Sequence, residues 1–314
     1  MSLTDDFAFS AARVAIAAAQ AATKLAGRGD EKAADQAAVD AMRTALNAMV
    51  MKGRIVIGEG ERDEAPMLYI GEEVGTGAGP EIDIALDPLE GTTLTAKAMA
   101  NALAVIAFAP RGGLLHAPDT YMDKLAVGPG YDDDVVDLDA PADENVRRLA
   151  KAKGVDASDI GVCVLDRPRH ESIIASLRKV GARVHLITDG DVAGVINCTE
   201  KDTGVDMYVG QGGAPEGVLA AAALKCVGGQ FQGRLVFRND DERARADRAG
   251  VTDLKSRYKL NELVSKDAIF VATGVTNGAL LDGVRFKKGF AHTHTLVMNS
   301  ATRMVAELKV KRPV

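Results

Sequence analysis

Strand-like and helix-like segments alternate between residues 160 and 227, and this order restricts the fold more than any other feature of the sequence. The strand-like runs are short and apolar, and they lie at 160–165, 183–187 and 206–210. Helix-like segments follow them at 171–180, 192–197 and 216–227. A β-α-β-α order of this kind predicts a mostly parallel sheet in this part of the chain.

The remaining segments are less regular, but most have a clear type. Helices are predicted at 7–26, which ends before Gly27, and at 32–51. The charged stretch at 240–248 reads as an exposed loop or helix face. Strands are predicted from short apolar runs at 54–58, 82–86, 102–109, 121–127, 268–273 and 292–298. Asp87-Pro88 is expected to end the strand at 82–86, because proline cannot donate a ladder hydrogen bond.

The length of 314 residues suits one large α/β unit or two joined halves. Glycine, proline and three consecutive aspartates cluster at 128–134, which is typical of an exposed connection. The sequence therefore predicts an N-terminal half, 1–130, with metal-binding acids, and a C-terminal α/β half, 131–314, with substrate-binding residues. The two halves are expected to pack tightly.

Composition excludes several classes of partner. The formal net charge is −6 and no basic block occurs, which argues against a nucleic-acid partner. No apolar run approaches about 20 residues, so no membrane span is predicted, and the acidic N-terminus does not resemble a signal peptide. Three widely spaced cysteines form neither a disulfide framework nor a zinc pattern. We therefore expect a cytoplasmic protein with reduced cysteines.

Acidic residues recur where predicted strands end. Glu59, Asp87 and Glu90 follow strands of the first half, and Asp189 and Asp191 follow a strand of the second. Ligands of α/β sheets bind outside the carboxyl ends of strands, so these acids are candidates for one site.

The segment from Asp87 to Thr92 combines features that suit a metal-phosphate site. Pro88 fixes the turn, Gly91 permits close approach of a ligand, and Thr92 offers a hydroxyl. Two unit charges 4 Å apart repel by about 4 kcal/mol at an effective dielectric of 20, and hard divalent cations relieve that repulsion. A turn with surface carboxylates is the alternative. The second acidic segment at another strand end, Gly58-Glu59-Gly60-Glu61, favours the metal site.

At these residues the chain resembles class II fructose-1,6-bisphosphatase, a member of the lithium-sensitive phosphatase superfamily. The superfamily signature is Asp87-Pro88-Leu89-Glu90-Gly91-Thr92. Neighbouring motifs, in order along nearly the whole chain, indicate class II: Gly27-Arg28-Gly29-Asp30, Ile57-Gly58-Glu59-Gly60-Glu61, the run from Asp63 to Glu72, Asn101-Ala102-Leu103-Ala104-Val105 and Gly212-Gly213-Ala214-Pro215-Glu216-Gly217.

The resemblance implies a set of site residues. Asp63 and Thr92 would position and activate the attacking water, and Asp87 is the third catalytic candidate. The implied metal ligands are Asp35, Glu59, Asp87, Glu90 and Glu216. The implied substrate contacts are Glu90, Gly91, Thr92, Tyr121, Arg167, Pro168, Arg169, Asp189, Gly190, Asp191 and Gly213.

Within this implied set, Arg167 and Arg169 can bind the phosphate that is not cleaved. The sequence departs from the family pattern at two places. Glu31 stands where the family often has lysine, followed here by Lys32. Arg167 stands where lysine is common, which puts the phosphate geometry in question because arginine is forked.

The resemblance also implies a layered α/β/α/β/α sandwich and two or more divalent ions, Mn²⁺ or Mg²⁺. The implied reaction is hydrolysis of the 1-phosphate of fructose 1,6-bisphosphate by metal-activated water, a step of gluconeogenesis, glycerol metabolism or the Calvin cycle. A homo-oligomer, dimer or tetramer, is a further expectation. The alternatives are a dual fructose-1,6-/sedoheptulose-1,7-bisphosphatase, an inositol-monophosphatase-like enzyme and a non-catalytic sugar-phosphate sensor.

Overall fold

The structure is a computed structural model that describes residues 3–60 and 67–314, and its architecture is mixed α/β. The helices of the described residues are α1 (Asp5–Thr23), α2 (Glu31–Asn47), α3 (Thr92–Ala96), α4 (Ala142–Lys153), α5 (Glu171–Lys179), α6 (Asp191–Ile196), α7 (Ala214–Val227), α8 (Asp240–Arg248) and α9 (Leu260–Leu263). The strands are β1 (Lys52–Ile57), β2 (Glu73–Val74), β3 (Glu81–Glu90), β4 (Leu103–Pro110), β5 (Tyr121–Val127), β6 (Gly161–Leu165), β7 (Arg183–Ile187), β8 (Met207–Gly213), β9 (Gln230–Val236), β10 (Arg257–Lys259), β11 (Ile269–Gly274), β12 (Arg285–Lys287), β13 (Phe290–Asn299) and β14 (Met304–Pro313).

The chain forms two compact units. The first contains the residues up to His116 together with Val264–Val314, and the second is Ala117–Leu263. The sequence analysis predicts a different division, between residues 130 and 131. Segment 128–134 follows β5, whose partners β8 and β9 belong to the same sheet, and it therefore lies inside the second unit.

The first unit contains a sheet of eight described strands. Their order is β12-β13-β11-β4-β3-β1-β2, and β14 lies off this path and pairs with β13 over residues 290–299. β1 runs parallel to β3, and the remaining pairs are antiparallel.

Alternate side chains of this sheet form the core of the first unit. Ile82, Ile84 and Leu86 of β3 point to the same face as Ile106 and Phe108 of β4, and they pack in one cluster with α1 and α2. The buried face of α1 is rich in alanine, so this helix can lie close to the strands. A fully buried isoleucine, leucine or phenylalanine contributes about 1.5–3 kcal/mol.

The second unit contains a sheet of six described strands in the order β10-β9-β5-β8-β6-β7. β6 pairs in parallel with β7 and β8, as the alternating pattern predicts. The sheet as a whole is mixed, because three strands from outside residues 160–227 complete it in antiparallel orientation. β5 pairs antiparallel with both β8 and β9, and β10 extends this antiparallel half.

Helices cover both faces of the second sheet. Val146 of α4 and Leu177 of α5 share a cluster with Leu125, Val162 and other alternate strand residues. α6 and α7 contact each other and the opposite face of β5, β6 and β8, with Tyr208 fully buried there. The two mixed sheets and their helices confirm the predicted α/β fold class.

Two predicted boundaries need correction. β3 does not end before Asp87 but continues to Glu90, with a register shift between Asp87 and Glu90 against β4. The bulge absorbs the missing N–H of Pro88, so the ladder resumes. α2 ends at Asn47, not at residue 51.

In the part of the chain that the structure describes, no helix combines the length and apolar character that a membrane span requires.

Candidate active site

The bulge in β3 brings two carboxylates of the first unit together. Asp87 and Glu90 each offer an oxygen, and these oxygens lie within 4.8 Å of each other. Asp87 Oδ1 also accepts a hydrogen bond from the backbone N–H of Leu89 at 3.0 Å, which holds the Asp87 side chain across the turn. Glu90 is 6% exposed. Two carboxylates at this separation in a half-buried setting suit a cation, because each would otherwise repel the other.

Gly91 and Thr92 connect the bulge to α3. Gly91 has a φ of +91°, a left-handed conformation that favours glycine, and α3 begins at Thr92. The carbonyls at the end of α3 accept hydrogen bonds from the N–H groups of Gly27 (2.9 Å) and Gly29 (3.0 Å). The Gly27-Arg28-Gly29-Asp30 motif is therefore attached directly to the segment that carries the two carboxylates.

The same motif starts the helix that carries Asp35. The side chain of Asp30 accepts a hydrogen bond from Ala33 N at 2.9 Å and caps α2. One turn later, Asp35 is half-buried. Burial and then the negative charge of Asp87 raise the pKa of Asp35 to about 6. Asp35 thus lies close enough to Asp87 to share its electrostatic environment.

Glu59 follows β1, and its position depends on Gly58. A Cβ on Gly58 would lie 2.1 Å from the carbonyl oxygen of Leu68, so only glycine fits. The N–H of Glu59 donates to that same carbonyl at 3.0 Å. Asp63 belongs to 61–66, outside the described residues. Glu31, the first departure from the family pattern that the sequence resembles, and Lys32 are exposed at the start of α2.

In the second unit, two candidate substrate contacts are cross-strand partners. Tyr121 opens β5 and pairs with Gly213, the last residue of β8. A Cβ on Gly213 would lie 1.9 Å from Glu216 Oε2, so this glycine leaves room for the Glu216 carboxylate. Glu216 lies in the first turn of α7, where the helix dipole favours a negative charge.

The Arg167-Pro168-Arg169 segment lies after β6, and Pro168 starts a 3-10 turn. Arg169 donates through Nε and Nη2 to the carbonyl oxygen of Gln211, at 3.2 and 2.7 Å. The guanidinium of Arg169 also lies over the Tyr121 ring, with Cζ 4.9 Å from the centroid. Exposed Arg169 and half-buried Tyr121 therefore form one cationic and aromatic surface.

His170 was not among the residues predicted from the sequence. It forms a hydrogen bond with Gln211, the same residue to which Arg169 donates. It is 1% exposed. Its Nδ1 lies 2.7 Å from the carbonyl oxygen of Leu165, and its Nε2 accepts from the N–H of Gln211 at 2.8 Å. A neutral ring with its proton on Nδ1 satisfies both bonds.

Asp189, Gly190 and Asp191 form the turn between β7 and α6. Gly190 has a φ of +81°, and Asp189 Oδ1 accepts from its N–H at 3.1 Å. Asp191 is buried, and its Oδ2 accepts from Lys124 Nζ at 2.6 Å. Sequence reasoning missed Lys124 because a single lysine inside an apolar strand carries no local signal.

Each unit therefore carries its own cluster of charged side chains, acidic in the first unit and basic in the second. The first has crowded carboxylates, Asp35, Asp87 and Glu90, whose donor set of hard oxygens fits Mg²⁺ or Mn²⁺. The second has Arg169 over an aromatic ring and close to backbone turns, a combination that suits an anionic ester.

Comparisons with known proteins agree on one family. A family model described as bacterial fructose-1,6-bisphosphatase, glpX-encoded, matches residues 5–312. A protein of Synechococcus sp. (strain JA-3-3Ab), named D-fructose 1,6-bisphosphatase class 2/sedoheptulose 1,7-bisphosphatase, is 46% identical over 313 residues, which covers 92% of this chain and 90% of the relative. A protein of the same name from Prochlorococcus marinus (strain NATL1A) is 44% identical over 297 residues, which covers 90% and 89%.

Proposed function

Because the chain belongs to the family of bacterial, glpX-encoded fructose-1,6-bisphosphatases, we propose that it hydrolyses the 1-phosphate of D-fructose 1,6-bisphosphate, giving fructose 6-phosphate and phosphate. It is a phosphoric monoester hydrolase. The observation that carries the proposal is the β3 bulge, which brings Asp87 and Glu90 within 4.8 Å of each other at the family's signature. Phosphate monoesters hydrolyse extremely slowly without catalysis, so this reaction needs strong charge stabilisation.

Divalent metal ions are part of this proposal. Asp87, Glu90 and Asp35 would hold them in the first unit, and Glu59 and Glu216 are the remaining proposed ligands. When bound, Mn²⁺ or Mg²⁺ supplies Lewis-acid stabilisation of phosphate oxygens and lowers the pKa of water. The protein's own residues act around that centre. Thr92, at the start of α3, and Asp63 are proposed to orient the attacking water and accept its proton.

The second unit is proposed to bind the rest of the substrate. Arg167 and Arg169 would hold the phosphate that is not cleaved, since guanidinium groups form bidentate bonds with phosphate. Asp189 and Asp191 would accept hydrogen bonds from sugar hydroxyls. Backbone groups of Gly91, Gly190 and Gly213, with Pro168 and the Tyr121 ring, would complete the contacts.

Sedoheptulose 1,7-bisphosphate is a second candidate substrate, because the relatives are named for both activities. Both sugars carry a phosphate at each end, so residues that bind the distal phosphate can bind either substrate. Family membership does not favour the alternative of an inositol-monophosphatase-like enzyme. The crowded carboxylates do not favour the alternative of a non-catalytic sugar-phosphate sensor. We further propose a cytoplasmic homo-oligomer that acts in gluconeogenesis, glycerol metabolism or the Calvin cycle.

A substrate panel tests the proposal. Phosphate release is measured from fructose 1,6-bisphosphate, sedoheptulose 1,7-bisphosphate and inositol 1-phosphate, each with Mn²⁺, Mg²⁺ or a chelator. We expect turnover of fructose 1,6-bisphosphate with a divalent ion and loss of turnover with chelator. Activity on inositol 1-phosphate alone would overturn the substrate, and chelator-insensitive turnover would overturn the metal requirement.

A further inference from the structure

Two arginine side chains lie over the ring of Tyr121, and one of them is outside every motif discussed above. Arg238 Cζ lies 4.4 Å from the ring centroid, closer than Arg169 Cζ at 4.9 Å. Arg238 therefore shares an aromatic partner with a residue that is proposed to hold the distal phosphate.

The sheet register explains how Arg238 reaches this position. β5 lies between β8 and β9, and Tyr121 pairs with Gly213 on one side and Val236 on the other. Arg238 is two residues beyond Val236, directly before Asn239, which caps α8. The start of α8 and the end of β8 thus flank the same tyrosine.

A buried carboxylate fixes the orientation of Arg238. Glu242 is fully buried, and it accepts hydrogen bonds from the backbone N–H and from Nε of Arg238, both at 2.7 Å. Its Oε1 also pairs with Nη2. The Arg238 side chain is 56% exposed in spite of these bonds. Because Glu242 takes the Nε–Nη2 edge, the two N–H groups of Nη1 are left for a ligand.

A surface arginine normally loses considerable side-chain entropy when it binds a ligand. Arg238 has already been ordered by the ring and by Glu242, so its remaining donors can bind an anion at lower entropic cost. Purely structural anchoring of α8 would need the Glu242 contacts, but it would not need the Arg238 side chain to be half-exposed over the ring that Arg169 also contacts.

We propose that Arg238 is a third guanidinium that binds the substrate phosphate that is not cleaved, and that Glu242 is its positioning residue. This inference rests on the proposed function, and it adds a specificity determinant to it. It predicts that Arg238 contributes to binding of bisphosphates and contributes nothing to substrates that lack the distal phosphate.

The first test compares Arg238→Gln with the wild-type enzyme on two substrates. We expect KM for fructose 1,6-bisphosphate to rise roughly tenfold or more, with kcat within about twofold, because a charged hydrogen bond is lost. KM for fructose 1-phosphate, which has no distal phosphate, should stay unchanged. Arg243→Gln is the matched control, since Arg243 lies nearby on α8 but over a different ring, that of Phe237, and should leave both KM values unchanged.

Two further variants separate charge from position. Arg238→Lys keeps the charge but loses the forked geometry, so we expect an intermediate KM for the bisphosphate. Glu242→Gln keeps the shape of the positioning residue and should give a smaller rise in KM with the same substrate selectivity. Unchanged KM in Arg238→Gln, or an equal rise for both substrates, would overturn the inference.

Equilibrium binding of fructose 6-phosphate separates this inference from the proposed function. This ligand carries the distal phosphate alone, and calorimetry needs no turnover. Weaker binding by Arg238→Gln, about tenfold or more, supports the inference even if fructose 1,6-bisphosphate is not hydrolysed. Equal binding by variant and wild type overturns the inference, and it leaves hydrolysis by the wild type standing.

Discussion

At the scale of single residues, two adjacent glycines of β8 make room for carboxylates. A Cβ on Gly212 would lie 1.9 Å from Asp191 Oδ2, and a Cβ on Gly213 would lie equally close to Glu216 Oε2. Neither position tolerates a side chain unless the acid moves. The Gly212-Gly213 pair therefore contributes to the proposed site by leaving space for the carboxylates of Asp191 and Glu216.

Asp87 is the residue whose replacement is most informative. We expect Asp87→Asn to lower kcat roughly 100-fold or more, because it removes a proposed metal ligand while keeping the shape of the side chain. The protein should remain folded, which circular dichroism and thermal unfolding would verify. Glu81→Gln, at the exposed start of the same strand, is the control. A near-normal kcat in Asp87→Asn would contradict the central assignment.

His170 should make stability depend on pH. Burial, as the largest cause, holds the pKa of its imidazole below the usual value. Because the folded-state pKa is below the unfolded value of about 6.5, the stabilisation is complete above pH 6.5. It is lost as the pH falls through the folded-state pKa, since protonated Nε2 cannot accept from Gln211 N.

Urea unfolding between pH 5 and pH 8 measures this effect. The free energy of unfolding of the wild type should decrease on acidification more steeply than that of His170→Gln. His185→Gln, in the same unit, controls for the loss of one histidine. Parallel pH profiles for wild type and His170→Gln would show that neutral His170 makes no contribution.

At the scale of secondary-structure elements, β5 and α6 are joined by a buried ion pair. The Lys124 side chain is fully buried, and Asp191 is only slightly exposed. Tyr208 Oη lies 3.5 Å from the same Asp191 oxygen. Single removal of either partner leaves an uncompensated charge, which costs more than the pair contributes.

We expect Lys124→Met to destabilise the protein by about 3–5 kcal/mol. Adding Asp191→Asn to Lys124→Met should recover part of the lost stability, since it removes the buried carboxylate charge that Lys124→Met leaves without a partner. Denaturant unfolding of the two single variants and the double variant gives the coupling free energy. Additive effects would mean that the two groups do not interact energetically.

The elements also show what the sequence could predict. β5 and β7 have the predicted bounds, because turns delimit both of them sharply. The charged stretch 240–248, for which an exposed loop and a helix face were both open, is the helix α8. α4 and β9 were not predicted, since α4 is a polar helix and β9 is interrupted by Gly233 and polar residues. Continuation of β3 past Pro88 depends on a bulge against β4, which is a tertiary effect.

The proposed site was predictable to a similar degree. Asp87 and Glu90 stand out locally, since a turn-forming proline and a glycine surround them. Asp35 has the local pattern of any exposed helix acid, and only its distance from Asp87 distinguishes it. Arg238 stands at the edge of a charged run, and its contact with Tyr121 arises from sheet pairing across more than 100 positions.

At the scale of the whole molecule, bound divalent ions should couple to stability. A ligand that binds only the folded state at 100 times its Kd stabilises by about 2.7 kcal/mol. We expect Mn²⁺ or Mg²⁺ to raise the Tm of chelator-treated protein, measured by calorimetry. Asp87→Asn should reduce this shift, and Glu81→Gln should not. A Tm that is independent of divalent ions would contradict the proposed ligands.

The path of the chain also has a consequence for synthesis on the ribosome. β11 lies between β4 and β13 in the first sheet, yet the whole second unit is translated before it. At about 5–20 residues per second, β4 waits roughly 10–30 s for its neighbour. During that time it presents an unpaired apolar edge, the kind of surface that aggregates. The second unit is continuous and can fold first, so the nascent chain should depend on chaperones until β11 and β13 emerge.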